Sequence, residues 1–107
     1  MNIQINGYPF KVELVEQDSP KMNPGEERYY LGLTEYFENL ISIRKGMNER
    51  MTRATVIHEL IHAYIFAFGY HLEEEEAICD FFGSQGDAII SLADEIMWKG
   101  VDGGGSD

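Results

Sequence analysis

Two histidines and a glutamate lie close together in the segment HELIH, which runs from His58 to His62. In a helix, residues four apart lie one above the other on the same face, so both imidazoles can reach one ion. Imidazole nitrogens bind zinc at about 2.0–2.1 Å, and this spacing is typical of a zinc site on a helix. We therefore predict that His58 and His62 bind one zinc ion.

Glu59 carries the only formal charge between Ala54 and Phe68. The apolar side chains of this stretch cover most of a helical wheel, so the helix should be largely buried. A buried carboxylate needs a partner, and a neighbouring cation supplies one. Glu59 lies about 100° from His58 around the helix. This places it beside the predicted metal without making it a ligand, so it can take a proton from a metal-bound water. The competing interpretation, two core histidines hydrogen-bonded to protein groups, needs more partners than a small core offers.

A catalytic zinc ion takes three protein ligands and keeps a fourth position for water. The extended pattern H-E-x-x-H-x-x-G-x-x-H is excluded, because Ile65 and Phe68 stand where it requires glycine and histidine. The candidates that remain for the third ligand are His71 and the acidic run from Glu73 to Glu76.

Glu76 and Asp80 are four residues apart and share one face of the second predicted helix. We predict that Glu76 is the third ligand and that Asp80 bonds the outer nitrogen of a zinc-binding histidine, which fixes the ring. Glu75 stays open as an alternative ligand, and is otherwise part of a solvated helix start. His71 is predicted to be an exposed loop residue, with metal binding or a role as oxyanion donor left open. Tyr70 is predicted to be a packing residue, with a role as oxyanion donor left open.

The run EEAICD, which ends at Asp80, resembles the Asn-Glu-Ala-Ile-Ser-Asp stretch of thermolysin, and HELIH is similar to the paired-histidine motif of the same gluzincin group. From about residue 31 to 97 the chain also resembles the small ImmA/IrrE-type zinc peptidases of phages and prophages. The resemblance implies a minimal zincin-like domain and zinc-dependent endopeptidase activity on a peptide or protein, with Glu59 as general base. Thermolysin has a further subdomain whose Tyr and His steady the oxyanion. A chain of 107 residues has no room for it, so substrate and efficiency are not implied.

The first half of the chain must supply a sheet behind this helix. Alternating apolar residues predict a hairpin of 2–5 with 9–16 around the Asn6-Gly7 turn, and a second pair at 29–36 and 40–45. We expect an α+β fold, with a small antiparallel sheet packed against two helices that hold the metal between them.

The second half must supply those two helices. The first is predicted from an N-cap at Asn48 to Phe68, and the second from Leu72 or Glu73 to about Trp98. Gly83 and Gly86 weaken the middle of the second helix and leave room for a kink or break there. One domain, 1–100, accounts for all elements, and we expect the tail at 101–107 to be disordered.

The net charge of −11, from 19 acidic and 8 basic residues, argues against nucleic acid and anionic membranes as partners. The N-terminal segment MNIQINGYPF lacks the pattern of a secretory signal, and no apolar run reaches the length of a membrane span. The single cysteine, Cys79, cannot form an internal disulfide, and we expect it to be a small buried residue in a cytoplasmic protein.

These residues favour a zinc-dependent metallopeptidase that holds an extended peptide along a sheet edge within Tyr29–Arg44. The alternative is a zinc-stabilised binding protein with little or no turnover that acts on a host or phage partner. An intact Glu59 favours the enzyme, because a structural zinc has no need of a neighbouring general base.

Overall fold

The computed structural model describes residues 1–25 and 28–96, and it confirms the α+β class. The predicted tail at 101–107 and the predicted helix end near Trp98 lie outside the described residues. Within them the main elements are β1 (Asn2–Ile5), β2 (Tyr8–Val15), β3 (Gly32–Glu35), β4 (Leu40–Arg44), α1 (Glu49–Ala67) and α2 (Glu75–Glu95).

The four strands form one sheet in the order β1-β2-β4-β3. The outer pairs are antiparallel, but β2 and β4 run parallel, so the prediction of an entirely antiparallel sheet is wrong at its centre. The reason is the long segment after Val15, which crosses the end of the sheet and enters β3 at the far edge. The hairpin from β3 then folds β4 back into the middle, alongside β2 and in the same direction.

Short-range signals fix the first hairpin, while side-chain hydrogen bonds, several of them from Arg44, hold the long connection. Asn6 and Gly7 have φ values of 51° and 81°, as the predicted two-residue turn requires. The predicted strand at 29–36 is shorter than expected and begins only at Gly32. In the connection that precedes this strand, backbone carbonyls accept hydrogen bonds from the Arg44 guanidinium, among them those of Tyr30 at 2.9 Å and Met22 at 3.0 Å. These bonds hold the connection across the end of the sheet.

One face of the sheet packs on α1. Side chains alternate across a strand, and β4 accordingly turns Ile41 and Ile43 towards the helix and Ser42 away from it. The buried apolar cluster consists of Ile5, Phe10, Ile41, Ile43, Ala63 and Ala67. Neither helix, over the part of the chain that is described, is long and apolar enough to cross a bilayer.

Helix α1 has the ends that its sequence predicts. The Asn48 side chain accepts a hydrogen bond from the Met51 N–H at 2.8 Å, and Gly69 has a φ of 76° just after the last turn. Helix α2 begins at Glu75, two or three residues later than predicted, because residues 68–74 form the connection that reverses the chain. Its first turn therefore faces the last half of α1.

Helix α2 runs from Glu75 to Glu95 without a break at either of its glycines. The glycines serve packing instead. A Cβ atom on Gly83 would lie 3.0 Å from the Ala54 carbonyl oxygen and 3.2 Å from the His58 Cβ. A Cβ atom on Gly86 would lie 3.6 Å from the Ile57 Cγ2 atom and 3.8 Å from the Phe82 Cβ and Cδ1 atoms, which are ordinary contact distances. Gly83 is thus a point of close approach between the two helices, next to a histidine of the predicted site.

Because of this difference, we predict that an alanine is tolerated at Gly86 but not at Gly83, although both glycines lie in the same helix. Both Gly83→Ala and Gly86→Ala gain the same helix propensity, so that contribution cancels in the comparison. We expect the Gly83→Ala protein to be the less stable by about 1–3 kcal/mol, the usual range for overpacking. Urea unfolding of the two variants measures the difference, and equal free energies of unfolding would show that the helices have room to separate.

Candidate metal centre

The site lies where the second half of α1 meets the first half of α2. The helices run antiparallel there, since His62 contacts Glu75 while the earlier His58 contacts the later Asp80. The tight packing at Gly83 sets the distance between them. Six titratable side chains from two helices are thereby brought into one cluster: His58, Glu59, His62, Glu75, Glu76 and Asp80.

The Glu76 carboxylate lies between the two imidazoles. Its Oε1 atom is 2.9 Å from His58 Nε2, and its Oε2 atom is 3.2 Å from His62 Nε2. The ring centroids of the two histidines are 5.0 Å apart. Glu76 therefore contacts both inner nitrogens, each through a different oxygen, and one oxygen each of Glu76 and Asp80 lies within 4.8 Å of a His58 nitrogen and of each other.

Each histidine has its own carboxylate on the outer nitrogen. The Asp80 Oδ1 atom is 3.2 Å from His58 Nδ1, and the Glu75 Oε2 atom is 2.6 Å from His62 Nδ1. An Nδ1–H that donates to a carboxylate leaves the Nε2 lone pair free to bind a metal and fixes the ring. Neither sequence-based interpretation of Glu75 matches this position. Its side chain is 25% exposed and contacts the outer nitrogen, so it is neither part of a solvated start nor directed at the inner nitrogens.

Tyr36 supports Glu75 and was not anticipated from the sequence. Its hydroxyl donates to Glu75 Oε2 at 3.0 Å, and its ring stacks on Phe66 with centroids 4.8 Å apart. Burial, together with the neighbouring Glu75 carboxylate, raises the pKa of Tyr36, so the hydroxyl keeps its proton and remains a donor. The His62 ring is thus oriented through Glu75 by a residue of the sheet side.

We expect Tyr36→Phe to weaken zinc binding without removing it. The variant keeps the stacking on Phe66 but loses the donor to Glu75, which leaves the His62 ring less firmly held. Loss of an outer partner costs about 10–100-fold in metal affinity, and a group one step further out should cost about tenfold or less. Competition titration with a chelator measures the affinity, with the exposed Tyr64→Phe as matched control. Equal affinity for both variants would remove Tyr36 from the site.

Glu59 is buried, with 5% of its surface exposed, and lies between the histidines and β3. The Thr34 hydroxyl donates to its Oε1 atom at 2.7 Å, while its Oε2 atom is 3.9 Å from His58 Nε2. Burial raises the pKa of Glu59, and the hydrogen bond from Thr34 works in the opposite direction. One carboxylate oxygen is therefore held in place, and the other faces the region between the histidines.

Gly32 explains how β3 comes so close to Glu59. A Cβ atom at this position would lie 2.8 Å from the Glu59 Cγ atom and 2.7 Å from the Thr55 methyl group. Gly32 and Thr34 are two residues apart in β3, so both face α1. The alternation in LGLT indicates that Gly32 and Thr34 share one face of a strand. The sequence alone does not show that this face is turned towards Glu59.

The cluster opens into a cleft of about 530 Å³ between β3 and the two helices. Residues 29–34 form one wall, and the histidines with Glu59 lie at its base. The Glu76 and Asp80 side chains are each 69% exposed at the other wall. The exposed carboxylates of Glu76 and Asp80 thus lie beside two largely buried histidines and a buried Glu59, in a cleft that is open to solvent.

Tyr70 and His71 do not join the cluster. Both are exposed residues of the connection between the helices, and neither lines the cleft. Cys79 is fully buried, as predicted, and burial raises the pKa of its thiol to about 12. Its sulfur and one ring nitrogen each of His58 and His62 lie within 4.8 Å of one another.

The donor set fits zinc. Two imidazole nitrogens and a carboxylate oxygen are the protein ligands of one class of catalytic zinc site, and both rings have the outer carboxylate partners that such ligands use. Comparison with protein-family models, curated proteins and solved structures finds no significant match for this chain. The likeness to gluzincins and ImmA/IrrE-type peptidases therefore remains an expectation from two short motifs.

Proposed function

We propose that this protein is a zinc-dependent metallopeptidase whose ion is held by His58, His62 and Glu76. The observation that carries the proposal is the Glu76 carboxylate, which contacts the inner nitrogens of both histidines at 2.9 and 3.2 Å. The carboxylates on the outer nitrogens support it, because a structural pair of core histidines has no need of three acidic partners. In this view Asp80 and Glu75 are positioning residues, one for each ring.

A zinc ion bound there supplies a Lewis acid for the scissile carbonyl and lowers the pKa of water towards about 7. Glu59 is the general base: it takes a proton from the attacking water and passes it to the leaving amine. Thr34 holds Glu59 Oε1 at 2.7 Å and so keeps Oε2 directed at the reacting region. Burial favours this role, because a carboxylate with a raised pKa accepts a proton more readily.

The edge strand β3 supports an extended peptide as substrate. The Arg44 N–H donates to the Leu31 carbonyl at 2.8 Å, so this pair is hydrogen-bonded across the ladder. In an antiparallel pair such residues alternate with residues whose backbone groups point the other way. Gly32 and Thr34 therefore turn their N–H and C=O groups to the free edge, along the cleft wall, where a substrate strand can add.

One observation favours a zinc-stabilised binding protein as second candidate. The hydroxyls of Thr34 and Tyr36, both at the cluster, already donate to Glu59 and Glu75. Tyr70 and His71, the residues considered as oxyanion donors, lie outside the cleft. Turnover without such a donor would be slow, since one oxyanion donor contributes about 10²–10³-fold in rate.

A cytoplasmic location and a host or phage partner belong to the same proposal and rest on the sequence.

A peptide-library assay separates the two candidates. The protein is loaded with one equivalent of zinc, incubated with the library, and the products are identified by mass spectrometry. The metallopeptidase predicts defined cleavage sites that disappear with a chelator and return with zinc. Full zinc occupancy without cleavage of any peptide would reject the enzyme and leave the binding protein.

A further inference from the structure

We propose that Cys79 is an additional ligand for the metal bound by His58 and His62. The site would then have two ligand sets: an open one with three protein ligands and a water position, and a closed one in which the Cys79 sulfur replaces the water. The proposal rests on the metal centre put forward above. It adds a residue that neither the paired-histidine motif nor the acidic helix start includes. Where the sulfur binds, the fourth position of the ion is no longer available to water.

Distances support this assignment. The Cys79 sulfur and a ring nitrogen of each histidine lie within 4.8 Å of one another. For tetrahedral zinc with bonds of about 2.0–2.1 Å to nitrogen and about 2.3 Å to sulfur, the ligand atoms are about 3.4–3.6 Å apart. The three atoms are thus within about 1.4 Å of the separations that a shared zinc ion requires.

The surroundings of Cys79 also favour a ligand over a packing residue. Its side chain is fully buried, yet it does not belong to the apolar cluster of the sheet and α1. It lies one helical turn after Glu75 and Glu76, so it is on the same face of α2 and is directed towards the same two histidines. A buried cysteine beside two imidazole nitrogens offers a sulfur that can bind a metal as thiolate.

Binding of the sulfur has a simple balance. A zinc–sulfur bond forms, a water ligand leaves, and the thiol proton is released to solvent. No oxidant or reductant takes part. If Glu76 stays bound beside His58, His62 and Cys79, the ion would have four protein ligands, which is the character of a structural zinc site. The open set keeps the water position that hydrolysis requires, so exchange between the two would control turnover.

Cobalt(II) is the probe for this assignment. Its visible d–d bands report occupancy of the site, and a thiolate-to-cobalt charge-transfer band in the near ultraviolet reports a sulfur ligand. Because the chain has one cysteine, that band can arise only from Cys79. We expect both features in the unaltered protein. Cys79→Ser and Cys79→Ala should retain the d–d bands, lose the charge-transfer band and bind zinc at least about tenfold more weakly.

The possible outcomes separate this proposal from the proposed function. Visible bands without the charge-transfer band in the unaltered protein would overturn the role of Cys79 and leave the metal centre intact. No cobalt spectrum at all would overturn both. If the Cys79 variants fail to fold, the unaltered protein still decides. The charge-transfer band must appear in proportion to bound cobalt and disappear when zinc displaces it.

Discussion

Glu59→Gln is expected to abolish peptide hydrolysis while zinc stays bound. Glutamine has the same size and can accept the Thr34 hydroxyl bond that Glu59 Oε1 accepts at 2.7 Å, so the local geometry is retained. It cannot take a proton from water, and a general base typically contributes about 10²–10⁴-fold in rate. We therefore expect kcat/KM to fall by that factor, measured on the best peptide from the library.

The matched control is Glu73→Gln, the same change at an exposed residue just before α2. It should leave both rate and zinc content unchanged. A Glu59→Gln protein that keeps more than about one tenth of the activity would exclude Glu59 as general base. Loss of zinc in this variant would instead show that Glu59 takes part in holding the ion.

Glu76→Ala is expected to cause the largest loss of zinc among the acidic residues of α2. It removes the carboxylate that contacts both inner nitrogens. Asp80→Ala and Glu75→Ala each free one histidine ring, and each should cost about 10–100-fold in affinity, so zinc remains bound at high free metal. Competition with a chelator measures all three, and Glu74→Ala, at an exposed position, is the control.

The ranking of these variants tests the register of α2. If Glu75→Ala loses the ion while Glu76→Ala keeps it, the ligand is one residue earlier than proposed. Normal binding by all three would place the third ligand elsewhere. Cys79 would then be the first residue to examine, because its sulfur already lies near both histidines, whereas His71 does not join the cluster.

Local signals in the sequence were sufficient for the framework of the site. The caps at Asn48 and Gly69 depend only on neighbouring residues, and they define α1 to within a residue or two. Helical geometry alone brings residues four apart to one face, so the pairs His58 with His62 and Glu76 with Asp80 were predictable. Their meeting across two helices follows once the helices pack.

The parts that escaped prediction depend on contacts between distant segments. The role of Glu75 is set by how α2 is rotated against α1, which the close approach at Gly83 decides and periodicity does not. Thr34 and Tyr36 reach the site from 25 and 39 residues away from their partners along the chain. The parallel pairing of β2 with β4 likewise depends on where the long connection crosses the sheet.

Zinc titration of the metal-free protein by calorimetry is the most direct test of the central claim, that α1 and α2 together hold one ion. His58→Ala provides the comparison, because it removes a nitrogen that contacts Glu76 at 2.9 Å. The account predicts uptake of one zinc per chain by the unaltered protein and no stoichiometric uptake by the variant. No uptake by the unaltered protein, or equal uptake by both, would contradict it.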